Sequence, residues 1–309
     1  MNKIYILFLF VMFFSCSQKQ TDTFLKVEFL EKVTFSLDSV TPNYFIAMEA
    51  LKHGDKQYLT FLNSLTNTIY YYDLIDSKLE RELRFNVGET GISRGVMNYN
   101  HLSADSIFVF GAGLYSYITD YSGEIIDTFQ LIDFEFRQSP YSSSVSPVIF
   151  DGKALYFNSM VWGQYSSDYM PFMRYKLDTK KINLYGRLPE VYHNNGDWGA
   201  FSFDYAYQIP DLKNHRIIYS FPASNTLFYY NVSDLEFGEI ANSETFTKIS
   251  PPFSSSNYTD DIPEWHLAMN SKDMYGSLLF DNVTNRVFRW FKYGVKSNQK
   301  DPNYNTPQN

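Results

Sequence analysis

Only one cysteine occurs in the 309 residues, Cys16, near the amino end. The 293 residues after it (309 less 16) have none. The body therefore has no disulfide framework and no thiolate cluster for zinc. Positive charge is scarce as well. Lys and Arg number 26 against 34 Asp and Glu, for a formal net charge of −8. A nucleic-acid binder needs a basic face to displace counterions, so no nucleic-acid partner is expected. Apart from residues 4–14 there is no long apolar run. A membrane-spanning helix needs about 20 apolar residues, so none is expected in the body. Glycine (15) and proline (12) are too few for a collagen-like chain. Long amphipathic helical patterns are missing, which argues against Rossmann and α/β-barrel folds.

What is abundant is aromatic. Twenty-six Tyr, 28 Phe and 4 Trp make 19% of the chain. Tyr and Phe suit a pleated, half-buried surface, so the composition points to β-structure. Hydrophobic residues at 44% and charged residues at 19% are ordinary globular values, which excludes global disorder. The length allows one large domain with a sizeable core.

The amino end reads as an address. Lys3 supplies a positive flank, and residues 4–14 form an unbroken apolar stretch. That is too short to cross a bilayer but suits the hydrophobic region of a signal peptide. It ends in Phe13-Phe14-Ser15-Cys16, similar to the bacterial lipobox. The thiol of Cys16 takes a diacylglyceryl group through a thioether, and cleavage frees its amine for a further acyl chain. Two or more chains anchor firmly where one does not. The expected organisation is a signal peptide over residues 1–15, a lipidated tether over 16–23, a propeller over 24–295 and a polar, disordered tail over 296–309.

The body repeats. Each copy holds an apolar strand, a turn, an aromatic strand, another turn and a third strand. The copies begin at Gln57, Ser106, Ala154, Arg216 and Gly276. Aligned on Tyr70, Tyr117, Tyr175, Tyr229 and Phe288, they are spaced 47, 58, 54 and 59 residues apart. A leading strand is expected over 44–50 in the first copy and over 201–207 in the fourth, where Phe201, Phe203, Tyr205 and Tyr207 alternate strictly. Turns are expected at Ser122-Gly123, Asp151-Gly152 and Ser224-Asn225, where Gly and Asn accept positive φ. Four strands per unit of about 50 residues is the sequence form of a β-propeller, an all-β fold. Five blades are visible, the fifth without its outer strand. Residues 24–37 alternate apolar and charged, and are expected to form a strand that completes the last blade.

Several features together resemble a known family. They are the lipobox, the strand Asp105-Ser106-Ile107-Phe108-Val109-Phe110, the loop Val87-Gly88-Glu89-Thr90-Gly91-Ile92 before it, and the aromatic blades. The family is a Bacteroidetes lipoprotein family of unknown function with a TolB-like six-bladed propeller, and the resemblance spans roughly residues 16–295. It implies a sixth blade, for which the polar tail has no strands, so a truncated ring is expected; the alternative is closure with five blades, residues 24–37 supplying the missing outer strand of the fifth. It implies no activity and no catalytic residues.

Candidate chemistry is thin. Gly91-Ile92-Ser93-Arg94-Gly95 matches the nucleophile elbow G-x-S-x-G, but the elbow needs a helix after it and none is expected here. His53, His101, His193, His215 and His266 form no metal-binding spacing, so neither a metal nor a cofactor is expected. The richest polar and aromatic loops hold Asp197 and Trp198 in one case, and Asp260, Asp261, Glu264, Trp265 and His266 in the other. Both precede the first strand of a blade, so both are expected to face a ligand from one end of the ring. The preferred reading is a non-enzymatic lipoprotein at the outer membrane, with the periplasmic or surface side left open. Its partners are the membrane, through Cys16, and an unknown ligand such as a glycan or an envelope protein. The alternative is a carbohydrate-active hydrolase or lyase that uses the loop carboxylates.

Overall fold

Strands β1 (Met48–His53), β2 (Lys56–Asn63), β3 (Thr68–Asp73) and β4 (Leu79–Arg84) pair antiparallel, in that order, as a first blade. The computed structural model describes residues 32–37, 47–88, 91–112, 115–133, 135, 137–161, 169–193, 205–242, 271–281 and 283–294. The second blade repeats the order with β5 (Val96–His101), β6 (Ile107–Gly111), β7 (Tyr115–Thr119) and β8 (Ile125–Gln130). The third runs β10 (Ile149–Phe150), β11 (Ala154–Val161), β12 (Phe172–Lys176) and β13 (Lys181–Tyr185). Its short inner strand is extended by β9 (Gln138–Tyr141), which pairs with the far half of β11. The fourth blade is β14 (Tyr207–Asp211), β15 (Arg216–Ser220), β16 (Thr226–Asn231) and β17 (Glu236–Asn242). A two-stranded fifth sheet follows, β18 (Met274–Asp281) with β19 (Arg286–Lys292). The described residues thus form a β-propeller of four complete blades and part of a fifth.

Each blade is apolar on both faces, because both are covered. Ile69 and Tyr71 of the first blade pack with Ile107, Val109 and Tyr117 of the second. Phe108 and Phe129 of the second pack with Phe157, Met173 and Tyr175 of the third. Tyr156 and Phe172 of the third pack with Ile217, Tyr219 and Tyr230 of the fourth. Middle strands read as nearly continuous apolar runs for this reason, and all six residues of β3 are buried. Outer strands are polar, as in Glu80-Arg81-Glu82 of β4, which keeps an exposed edge from pairing with other chains.

The hairpins share one device. The Oδ1 atoms of Asn63, Asp73, Asn231 and Asp281 each accept from the backbone N–H groups two and three residues on. The residue four places on then turns left-handed: Asn67, Ser77, Leu235 and Asn285 have φ of 53°, 55°, 62° and 57°. This is the Asx turn, in which a side chain replaces a backbone acceptor. The N–H groups of Asp76 and Ile75 hold the Asp73 carboxyl below the usual range. Gly123 and Gly152 have positive φ as expected. Asn225 does not; the turn at Ser224 is instead bonded to an arginine described below.

Three local expectations are corrected. In the fourth blade the inner strand is Tyr207–Asp211, whereas Tyr205 and Ala206 are not in a strand and residues 201–204 lie outside the described set. Pro210 is tolerated in β14 because this is the inner edge of its sheet. In the fourth copy the position equivalent to Tyr175 is Tyr230, not Tyr229. Tyr230 is the ring that faces the preceding blade, and a slip of one residue reverses the face of a strand. Finally, residues 32–37 form no strand. Phe35 lies edge-on to Tyr72 of the first blade at 5.5 Å between ring centroids, and the Tyr72 hydroxyl donates to the Ser36 carbonyl at 3.0 Å. Phe35 alone plugs against the first blade, since Val33 and Leu37 are exposed, and residues 24–31 of the expected strand lie outside the described residues.

Candidate functional site

A serine-rich segment between β9 and β10 ties the blades together. Ser144 Oγ accepts from the Met48 N–H of β1 at 2.9 Å. Asn98 of β5 donates to Ser142 Oγ at 3.2 Å, and Ser142 donates to Asn100 Oδ1 at 3.0 Å. Ser146 donates to the Ala206 carbonyl, just before β14, at 3.1 Å. One segment thus touches the inner strands of two other blades and the approach to a third. Short hydroxyl side chains serve here because they bond to backbone and amide groups.

A second polar cluster joins the first two blades. His101 Nδ1 lies 2.7 Å from Glu49 Oε2, and His101 Nε2 lies 2.9 Å from the Tyr71 hydroxyl. Nδ1–H donating to the carboxylate and Nε2 accepting from the phenol is the tautomer that satisfies all three groups. The second Glu49 oxygen accepts from Asn100 Nδ2. Tyr71 is buried, and burial pushes its phenol well above the ordinary tyrosine range. It is a hydrogen-bond donor here, not a nucleophile. Arg81 lies 5.2 Å from the centre of the Tyr71 ring. The cluster seals an inter-blade seam.

An open cleft lies where the third blade meets the fourth. Its volume is about 470 Å³. One wall is the connection from β13 to β14, with Arg187, Leu188, Glu190 and His193. The other is the β15–β16 turn, with Ser224, Asn225 and Thr226, and Phe228 and Glu239 complete the lining. The walls are tied together, since the Ala223 N–H donates to the Tyr192 hydroxyl at 3.1 Å. The turn is also held from behind by Arg289 of β19. Its guanidinium donates to Ser220 Oγ at 2.7 Å, to the Phe221 carbonyl at 3.0 Å, to the Asn225 carbonyl at 3.1 Å and to the Ser224 carbonyl. Its Cζ sits 3.5 Å from the Tyr275 ring centre. Burial lowers the Arg289 pKa to about 10. A cleft of about 450 Å³ lies between the first two blades, lined by Arg84, Asn86, Gly91, Ser122 and Glu124 among others.

The residues singled out in the sequence fall unevenly. Cys16, Asp197, Trp198, Asp260, Asp261, Glu264, Trp265 and His266 lie outside the described residues. So does the test of whether the two tryptophan loops share one end of the ring. Ser93 of the G-x-S-x-G match sits in an inter-blade loop. Its N–H donates to the Tyr117 hydroxyl at 2.8 Å, and Ile92 beside it is buried in the core. The residues after it form β5, not a helix. Among the described residues no three His, Asp or Glu side chains are grouped to hold a metal. Sequence reasoning missed the Glu49–His101 pair, 52 residues apart, and Glu239 of the cleft. His193 enters the sequence reading only among the five histidines without metal-binding spacing.

Repeated antiparallel four-stranded blades that share apolar faces define the chain as a β-propeller protein. Its family is equally plain. The model for a domain of unknown function, DUF4221, matches residues 26–308, and the chain belongs to that family. A solved member of the family from Bacteroides vulgatus has the same fold, with a TM-score of 0.67 at 15% identity over 86% of this chain and 76% of that one. A Bacteroides fragilis protein named as a candidate exported protein aligns with a TM-score of 0.49 at 12% identity, over 84% of this chain and 74% of its own. No curated protein matches the sequence.

Proposed function

We propose that this chain is a lipoprotein anchored through Cys16 at the outer membrane, whose propeller binds a ligand or partner of the cell envelope. The anchor part is supported by the apolar leader ending in Phe13-Phe14-Ser15-Cys16, which holds the only thiol in the sequence. The binding part is carried by one observation, the cleft between the third and fourth blades. Its two walls are bonded to each other, and the β15–β16 wall is also held by Arg289, before any ligand arrives. A site whose walls are already fixed loses little ordering entropy on binding. Concave, pre-formed clefts are where small ligands bind.

The test is equilibrium binding of the purified full-length protein to a glycan array and a peptide library. Saturable binding with the probe recovered intact supports the reading. Recovery of cleaved probe overturns it in favour of the carbohydrate-active alternative. Failure of every probe to bind at millimolar concentration also overturns it.

A further inference from the structure

We infer that the cleft between the third and fourth blades takes a zwitterionic ligand with an apolar side chain, that is, a free amino acid or a short peptide. The inference rests on the binding-module reading and specifies its ligand. The neutral polar groups of the β15–β16 wall are largely consumed by the fold. The carbonyls of Phe221, Ser224 and Asn225 accept from Arg289. The Ala223 N–H donates to Tyr192, and the Thr226 N–H donates to Ser224 Oγ at 3.2 Å. The Thr226 hydroxyl donates to Asn242 Oδ1 at 2.6 Å. A saccharide, which is read through many neutral donors and acceptors, finds few of them open.

What is left in the lining, apart from the exposed His193 imidazole, is charged or apolar. Arg187, Glu190 and Glu239 are exposed, and none takes part in the ion pairs found among the described residues. The two carboxylates disfavour an anion, and Arg187 disfavours a simple cation. A ligand that carries both signs meets each with its opposite: ammonium toward the glutamates, carboxylate toward the arginine fork. Leu188 and Val191, both half-buried, offer apolar surface for a side chain, with Phe228 buried in the core behind. The volume of about 470 Å³ suits an amino acid or a dipeptide and lies in the lower half of the range for small-ligand sites.

The test is isothermal titration of the full-length protein with four probes: L-leucine, the dipeptide Leu-Leu, N-acetyl-Leu-Leu amide and maltose. The account expects saturable binding of leucine or of the free dipeptide, and the comparison of the two says which source the site prefers. Capping both charges should weaken binding at least about tenfold, as should Arg187→Met and Glu239→Gln separately. Both positions are exposed, so the melting temperature of the variants should not change, which separates lost contact from lost fold. Equal affinity for the capped peptide overturns the inference. So does binding of maltose that both substitutions leave intact, and so does failure of both zwitterions to bind. In that last case, binding of another probe in the array or library keeps the binding-module reading and removes only this ligand. If nothing binds in either experiment, both are lost.

Discussion

The tyrosines that seal the blades make the fold sensitive to alkali, and the size of the effect can be worked out. Tyr71, Tyr99, Tyr156 and Tyr219 are at most 2% exposed. Burial is the first cause of a raised pKa in each. Their hydroxyls bond to His101, Thr60, Asp151 and Tyr185. An unfolded tyrosine ionises near pH 10. A folded-state pKa above that value gives stability that is full below pH 10 and lost as the pH rises toward the folded pKa. At about pH 11, one unit above the unfolded pKa, each such ring favours the unfolded chain by about 1.4 kcal/mol. Four rings together cost roughly 6 kcal/mol, against a typical total stability of about 5–15 kcal/mol. Arg289 works the other way. Its folded pKa is lowered to about 10, so stability is recovered as the pH passes that value, by about 1.4 kcal/mol at pH 11. The balance still favours unfolding. Far-UV circular dichroism and tyrosinate absorbance, followed together against pH, should show one shared cooperative step above about pH 10.5. If absorbance rises smoothly for all tyrosines while the dichroism holds to about pH 12, the rings reach water without unfolding and the reasoning is refuted.

Other consequences can be checked by substitution. Gly186 has φ of +81°, and a Cβ there would meet the Phe172 ring at 2.5 Å, whereas Gly54 (φ +63°) has nothing within 4 Å. Gly186→Ala should therefore cost about 2 kcal/mol or more and Gly54→Ala only about 1 kcal/mol in urea unfolding; equal costs would mean that the blade contact at Phe172 does not matter. Arg289→Met strips its donors from four acceptors and should cost about 3 kcal/mol. A variant as stable as the parent would show that the guanidinium does not hold the β15–β16 turn. Asp73→Ala removes an Asx turn and should cost about 1 kcal/mol, with the loss read as a lower melting temperature.

The blade repeat was legible because its signal is local. An apolar strand, an Asx turn and an aromatic strand recur at Asn63 and Asp281, and the aromatic strands β3 and β16 end alike in Asx turns at Asp73 and Asn231. Phase within a strand was less legible. Tyr229 and Tyr230 are both aromatic, and only packing against Tyr156 and Tyr185 shows which one faces the third blade. The leading segment 32–37 misled because alternation alone does not separate a paired strand from a plug such as Phe35. The cleft was hardly legible at all. Arg187, Glu239 and Arg289 belong to three separate stretches of sequence, and their use depends on which carbonyls the fold leaves open. The Glu49–His101 pair was hidden for the same reason, since two inner strands of different blades bring it together.

The most direct test of a membrane-held binding module is the intact mass and amino-terminal chemistry of the mature protein from the membrane fraction of the expressing cell. The account predicts a chain that starts at Cys16 and carries a diacylglyceryl thioether and an acylated amine. Cys16→Ala should then move the protein out of the membrane fraction or leave its leader uncleaved. A mature chain that starts elsewhere, a free Cys16 thiol on the mature protein, or a cleaved Cys16→Ala variant that still partitions with the membrane would contradict it.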